Sequence, residues 1–156
     1  MQLALFKTNK KLKIAVVVSQ WNKTITEGLF KDTFKTLIKH GVKESNISKF
    51  EVPGSFELIF SAKKLGKLKK IDAIIVIGCI IKGETPHFEY ISKATFNALM
   101  YLAIQNKKQI GNGIITALNK SQAVKRCGIS NLTKSKGKGF EAAMAVIEVF
   151  KNVSKS

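Results

Sequence analysis

The segment IDAIIVIGCII, Ile71 to Ile81, is apolar at every position but Asp72. It is too short to cross a membrane and too uniform for a half-exposed element. Such a run fits a strand covered on both faces, the usual condition of strands in parallel sheets. Two further segments share this character, KIAVVVS from Lys13 and GIITA from Gly113, while a weaker fourth, ISKFEV from Ile47, alternates. Helix-length segments separate them. Thr24 is suited to cap a helix running to about His40, with Gly41 just past its end, and Ser55 to cap one stopping near Gly66. Thr85-Pro86 is a start signal for a helix reaching about Gln105, because proline suits the first helical turn. A short helix near Gln122 to Cys127 should end at Gly128, and FEAAMAVIEVF closes the chain. This alternation predicts an α/β fold: a three-layer α/β/α sandwich on a four-stranded parallel sheet with right-handed crossovers.

Ligands of such sheets bind beyond the carboxyl ends of the strands. SQWN after the first strand, VPGSFE after the second and KGETPH after the third all fall on that edge. The Thr85-Pro86 helix start presents unpaired backbone N–H groups, an anion site, next to Gly83, read here as permitting a tight approach. Neither GxGxxG nor GxxxxGK[ST] accompanies it, so no dinucleotide or nucleoside triphosphate is indicated. His87 falls in the first turn, where the positive helix end favours a neutral imidazole that can accept a proton. The other histidine, His40, is read as helping to end a helix.

At 156 residues and 45% hydrophobic, the chain can bury one ordinary core. We expect one domain over residues 1–156, with 1–12 as an N-terminal arm. The N-terminal apolar run is too short for a signal peptide, and no run is long enough for a membrane helix, so a cytoplasmic protein is expected. Cys79 and Cys127 form no CxxC pair or metal cluster and read as packed thiols. The net charge of +17 raises the question of nucleic acid. The lysines, however, are spread along the chain without interleaved aromatics for base stacking, so no dedicated nucleic-acid partner is expected. All the basic residues but Arg126 are lysines. A lone planar two-pronged donor in such a chain points to a gripped anion.

VPGSFEL (Val52 to Leu58), GCIIKGETPHFEYI (Gly78 to Ile91), GIIT followed by SQAVKRCG, and GKGFEAAMAVIE together resemble the lumazine synthases of riboflavin biosynthesis, over about Lys13 to Phe150. The resemblance implies a flavodoxin-like fold and a transferase without metal or organic cofactor. Its substrates would be 5-amino-6-ribitylamino-pyrimidinedione and 3,4-dihydroxy-2-butanone 4-phosphate. It makes His87 the acid-base group. It assigns Trp21 to stacking on the pyrimidine, with Asn22 beside it. Ser55, Phe56 and Glu57 fall to the ribityl chain and pyrimidine, Cys79, Ile80, Ile81 and Lys82 to the pyrimidine edge, and Glu84, Thr85, Arg126 and Lys138 to the phosphate. It also implies homopentamers with shared sites, closing in some members into a shell, and an N-terminal QLALF strand added to a neighbour's sheet.

Three departures stand out. Asn112 occupies the position where the family has a phenylalanine from a neighbouring subunit, removing a stacking surface of about 1–3 kcal/mol by analogy with base stacking on aromatics. The family's Thr-Asp-Thr segment is ALNK, Ala117 to Lys120. The turn after Arg126 is longer than the compact turn that favours shells, and the basic surface adds repulsion, so a pentamer is the expected base state. A catalytically weak flavin- or lumazine-binding protein and a polyanion-binding assembly are the alternatives the sequence leaves. A riboflavin synthase fits the complete GETPHFEY segment less well.

Overall fold

The computed structural model describes residues 10–128 and 136–153. The N-terminal arm before residue 10 and most of the long turn after Gly128 lie outside the described residues. Four strands, β1 (Ile14–Ser19), β2 (Ile47–Val52), β3 (Ala73–Ile81) and β4 (Gln109–Ala117), form one parallel sheet in the order β2-β1-β3-β4. Five helices connect or follow them: α1 (Lys23–Lys39), α2 (Ser55–Gly66), α3 (His87–Gln105), α4 (Lys120–Arg126) and α5 (Lys138–Val153). This is the α/β fold that the strand-helix alternation predicts.

Two apolar layers follow from the two-residue period of the strands. Ile14, Val16, Val18, Ile75, Ile77 and Ile115 pack with Leu29 and Leu37 of α1, Ala123 of α4 and Val146 and Ile147 of α5. Ala15, Val17, Ile74, Val76 and Ile114 face the other way, onto Leu58 and Ala62 of α2 and Leu99 and Leu102 of α3. Each fully buried Leu or Ile in these layers contributes ~1.5–3 kcal/mol. β2 is an edge strand with Ser48 to Glu51 all exposed, so the alternation of its sequence does not correspond to one buried and one open face. Lys49 reaches Glu27 at 2.6 Å and Glu51 at 3.2 Å there, charges of the kind that guard an open edge.

Several boundaries differ from expectation. Asn22, not Thr24, is the residue before α1, and Gly54, not Ser55, precedes α2. Pro86 precedes α3 rather than entering it. α4 begins at Lys120 because the Asn119 side chain accepts from Gln122 N at 2.9 Å, so the ALNK segment serves as a helix cap. His40 does end α1, its ring bonding the Thr36 carbonyl at 2.8 Å. β4 starts four residues before the expected Gly113. Gly111 and Asn112 hide it by their poor strand propensity. A methyl at Gly111 would lie 2.8 Å from Val146 Cγ2 and 2.9 Å from the Ala142 carbonyl, so the glycine lets α5 press onto the sheet.

Candidate active site

The three loops at the carboxyl edge of β1, β2 and β3 enclose a cleft of about 480 Å³. That is a usual size for a small-molecule site. The candidate site residues Trp21, Asn22, Ser55, Phe56, Glu57, Cys79, Ile80, Ile81, Thr85 and His87 line it, together with Gly54, Gly83, Phe88 and Ile91. Phe88 and Ile91 were not anticipated. Their signal is the helical spacing from His87, which puts one apolar face of α3 toward the cleft.

Trp21 is 72% exposed, an unusual state for the chain's one tryptophan. Its backbone is pinned to the β2 loop, with Gln20 N donating to the Val52 carbonyl at 2.8 Å and Trp21 N to the Pro53 carbonyl at 3.2 Å. A methyl at Gly54 would stand 3.3 Å from Trp21 Cδ1 and 3.2 Å from Glu57 Oε2, so the indole lies close over a residue with no side chain. The Glu57 carboxylate accepts from Gly54 N at 2.9 Å, tying the first turn of α2 to its own entry. Ser55 is buried, whereas Phe56 is 72% exposed.

At the end of β3, Lys82 N donates to the Ala117 carbonyl at 2.9 Å and is therefore engaged by β4. Peptide groups alternate along a strand, so those of Ile81 turn toward the β1 side, beyond the last β1–β3 pair, Val18 with Ile77. Ile81, rather than Lys82, thus offers backbone groups to a ring edge. In α3 the first internal bonds run from Glu89 and Tyr90 N–H to the Pro86 carbonyl. The N–H groups of His87 and Phe88 consequently point out of the positive helix end. A methyl at Gly83 would meet no atom within 4 Å, so no close approach within this chain requires glycine there. Burial, and secondarily the nearby Cys127, push the Cys79 thiol up to about 12, which disfavours the thiolate that a nucleophile needs.

The remaining expected site residues do not line this cleft. Lys82 and Glu84 are exposed at its mouth, where Lys82 pairs with Glu89 at 3.4 Å. Arg126 is exposed at the end of α4, which follows β4 at the far side of the sheet, and Lys138 pairs with Glu141 at 3.0 Å in the first turn of α5. Asn112 lies opposite Val76, five residues upstream of Ile81, with Oδ1 accepting from Ile114 N at 3.0 Å. Among the described residues, no lysine or arginine lines the cleft, although Glu57 contributes a carboxylate.

An exposed indole, the N-terminal end of α3 and His87 thus meet in one cleft at the carboxyl edge of an α/β sandwich. The comparisons are specific. Residues 11–154 match the family model for 6,7-dimethyl-8-ribityllumazine synthase. Proteins with that name from Parabacteroides distasonis, Bacteroides fragilis and Flavobacterium johnsoniae are 40%, 42% and 39% identical to this chain. Those matches cover 88%, 88% and 90% of it, and 84%, 94% and 72% of the relatives. The chain belongs to the 6,7-dimethyl-8-ribityllumazine synthase family.

Proposed function

We propose that this cleft, completed by a second copy of the chain, condenses 5-amino-6-(D-ribitylamino)uracil with 3,4-dihydroxy-2-butanone 4-phosphate. The products are 6,7-dimethyl-8-ribityllumazine, phosphate and water, and the enzyme is a transferase of riboflavin biosynthesis. The observation that carries the arrangement is the cation-free lining. A phosphate at the α3 N-terminus beside Thr85 needs a positive partner, and Arg126 and Lys138, which stand outside the lining of their own cleft, would supply it from another copy. The pyrimidine lies against Trp21 with its edge on Ile80 and Ile81, and the ribityl hydroxyls reach Ser55 and Glu57. His87, between ring and phosphate, moves protons during imine formation, phosphate elimination and ring closure, and binding both reactants together supplies much of the acceleration.

The same reading makes the chain one domain, a homopentamer in the cytoplasm. Phe56, Phe60, Tyr90, Met100, Tyr101 and Ile104 are exposed on α2 and α3, apolar side chains that a contact with another copy would cover. The open edge of β2, with Phe50 39% exposed, can accept the QLALF segment of a neighbour. No helix among the described residues is long and apolar enough to cross a membrane. The test is steady-state formation of the lumazine chromophore above the spontaneous background. We expect saturation in both substrates, and a His87→Ala variant slowed by about 10²–10⁴-fold. Background-level turnover by the parent, with flavin or pyrimidine still bound, would replace the enzyme by a binding protein on the same scaffold.

A further inference from the structure

Among the described residues, Asn22 is the one non-glycine residue with positive φ, at φ 58 and ψ 48. Asparagine tolerates that region better than most residues, commonly with its side chain bonded to nearby backbone. Asn22 precedes α1, yet its side chain forms no cap for that helix. Nδ2 instead crosses to β3 and donates to the Cys79 carbonyl at 2.9 Å. The preceding residue is Trp21, whose N–H is held by Pro53. One short turn is therefore fixed from two sides, by β2 through the backbone and by β3 through a single amide.

From this geometry we infer that Asn22 is a positioning residue for the pyrimidine slot, acting through Trp21 and the end of β3 rather than on substrate. Its amide holds the left-handed turn that lays the indole over Gly54, and the same bond anchors the Cys79 carbonyl two residues before Ile81. The ring face and the ring edge of the slot are thereby kept at one spacing. The anion end of the cleft, at Thr85 and His87, has no part in this link. The inference rests on the proposed assignment of the slot to the pyrimidine.

Two substitutions separate the components. Asn22→Gly keeps the left-handed turn accessible and removes the amide. Asn22→Asp keeps the shape but replaces the donor with an acceptor facing a carbonyl, and as the near-isostere it serves where the glycine variant fails to fold. Because Trp21 is the chain's one tryptophan, its fluorescence anisotropy in the ligand-free protein reports the clamp directly. Both variants are expected to lower that anisotropy. They should raise KM for the aminopyrimidine by about 3–10-fold, on the scale of one lost hydrogen bond, with kcat and KM for the phosphorylated ketone within about twofold of the parent. Unchanged anisotropy, or an equal rise in both KM values, overturns the inference. If the parent makes no lumazine, the site assignment fails, while the anisotropy of parent and variants still decides whether Asn22 holds Trp21.

Discussion

Gly78 is the position where a single methyl group should report whether the floor of the cleft is built as described. It lies in β3 beneath the first turn of α2, and a Cβ there would stand 3.0 Å from both Leu58 Cδ1 and Ser55 Oγ and 3.6 Å from Ile114 Cγ1. Comfortable contacts lie near 3.5–4.0 Å, so α2 must lift by a few tenths of an ångström. Leu58 is wholly buried, and the sheet below it has no slack. Overpacking costs about 1–3 kcal/mol, offset by roughly 0.4–1 kcal/mol from the stiffer unfolded chain, leaving a net loss of up to about 2.6 kcal/mol, with a midpoint of about 1.3 kcal/mol. At 2–4 °C per kcal/mol, Gly78→Ala should lower Tm by about 3–5 °C at that midpoint, at matched protein concentration. Ser55 and Glu57 move with α2, so KM for the aminopyrimidine should rise severalfold while KM for the phosphorylated ketone holds. Gly83→Ala is the control, since its methyl meets nothing within 4 Å; its stability should stay within about 0.5 kcal/mol of the parent. A Gly78→Ala protein matching the parent in both Tm and KM would refute the packing of α2 on β3 as the support of the site.

Arg126→Lys should raise KM for the phosphorylated ketone about tenfold or more, by loss of two-pronged, charge-assisted bonding, and leave KM for the aminopyrimidine unchanged; equal affinity for the ketone would remove Arg126 from the phosphate. Asp32 accepts from Phe140 N at 2.8 Å and so caps α5 from α1, while burial raises its pKa against the opposing effects of that bond and Lys35. A raised carboxyl pKa favours the fold at low pH, and that contribution is lost as pH rises through the folded pKa. Asp32→Asn, which keeps an acceptor, should therefore be at least as stable as the parent at pH 7. Asp32→Ala should lose about 0.5–2 kcal/mol in denaturant titrations; equal losses for the two variants would contradict the cap. With its thiol pushed up to about 12, Cys79 should resist thiol reagents at pH 8 until the chain is unfolded in guanidinium, and fast labelling of the native protein would show the site to be open.

The sheet was legible because β1 and β3 are apolar on both faces, a pattern only a covered parallel strand needs. The beginning of β4 was not, because Gly111 obeys the approach of α5 rather than strand propensity and Asn112 beside it is a poor strand former. Helix starts were off by a residue or more where loop geometry overrode the residues' usual preferences: Asn22 sends its amide to Cys79, and Gly54 is capped by Glu57 from inside α2. The cleft's own residues were readable because three consecutive loops share one sheet edge. That Asn112, Arg126 and Lys138 stand apart from it depends on strand order and register, which the motifs do not encode.

The central claim is that each site combines His87 of one copy with Arg126 of another. It is tested by mixing two impaired variants, His87→Ala and Arg126→Ala, unfolding them together in equal amounts and refolding. If sites are shared around a ring, each residue is intact half the time, and the mixture should recover about a quarter of the parent's lumazine-forming activity. A mixture no more active than the mean of the two variants alone would contradict the account and put Arg126 outside the site.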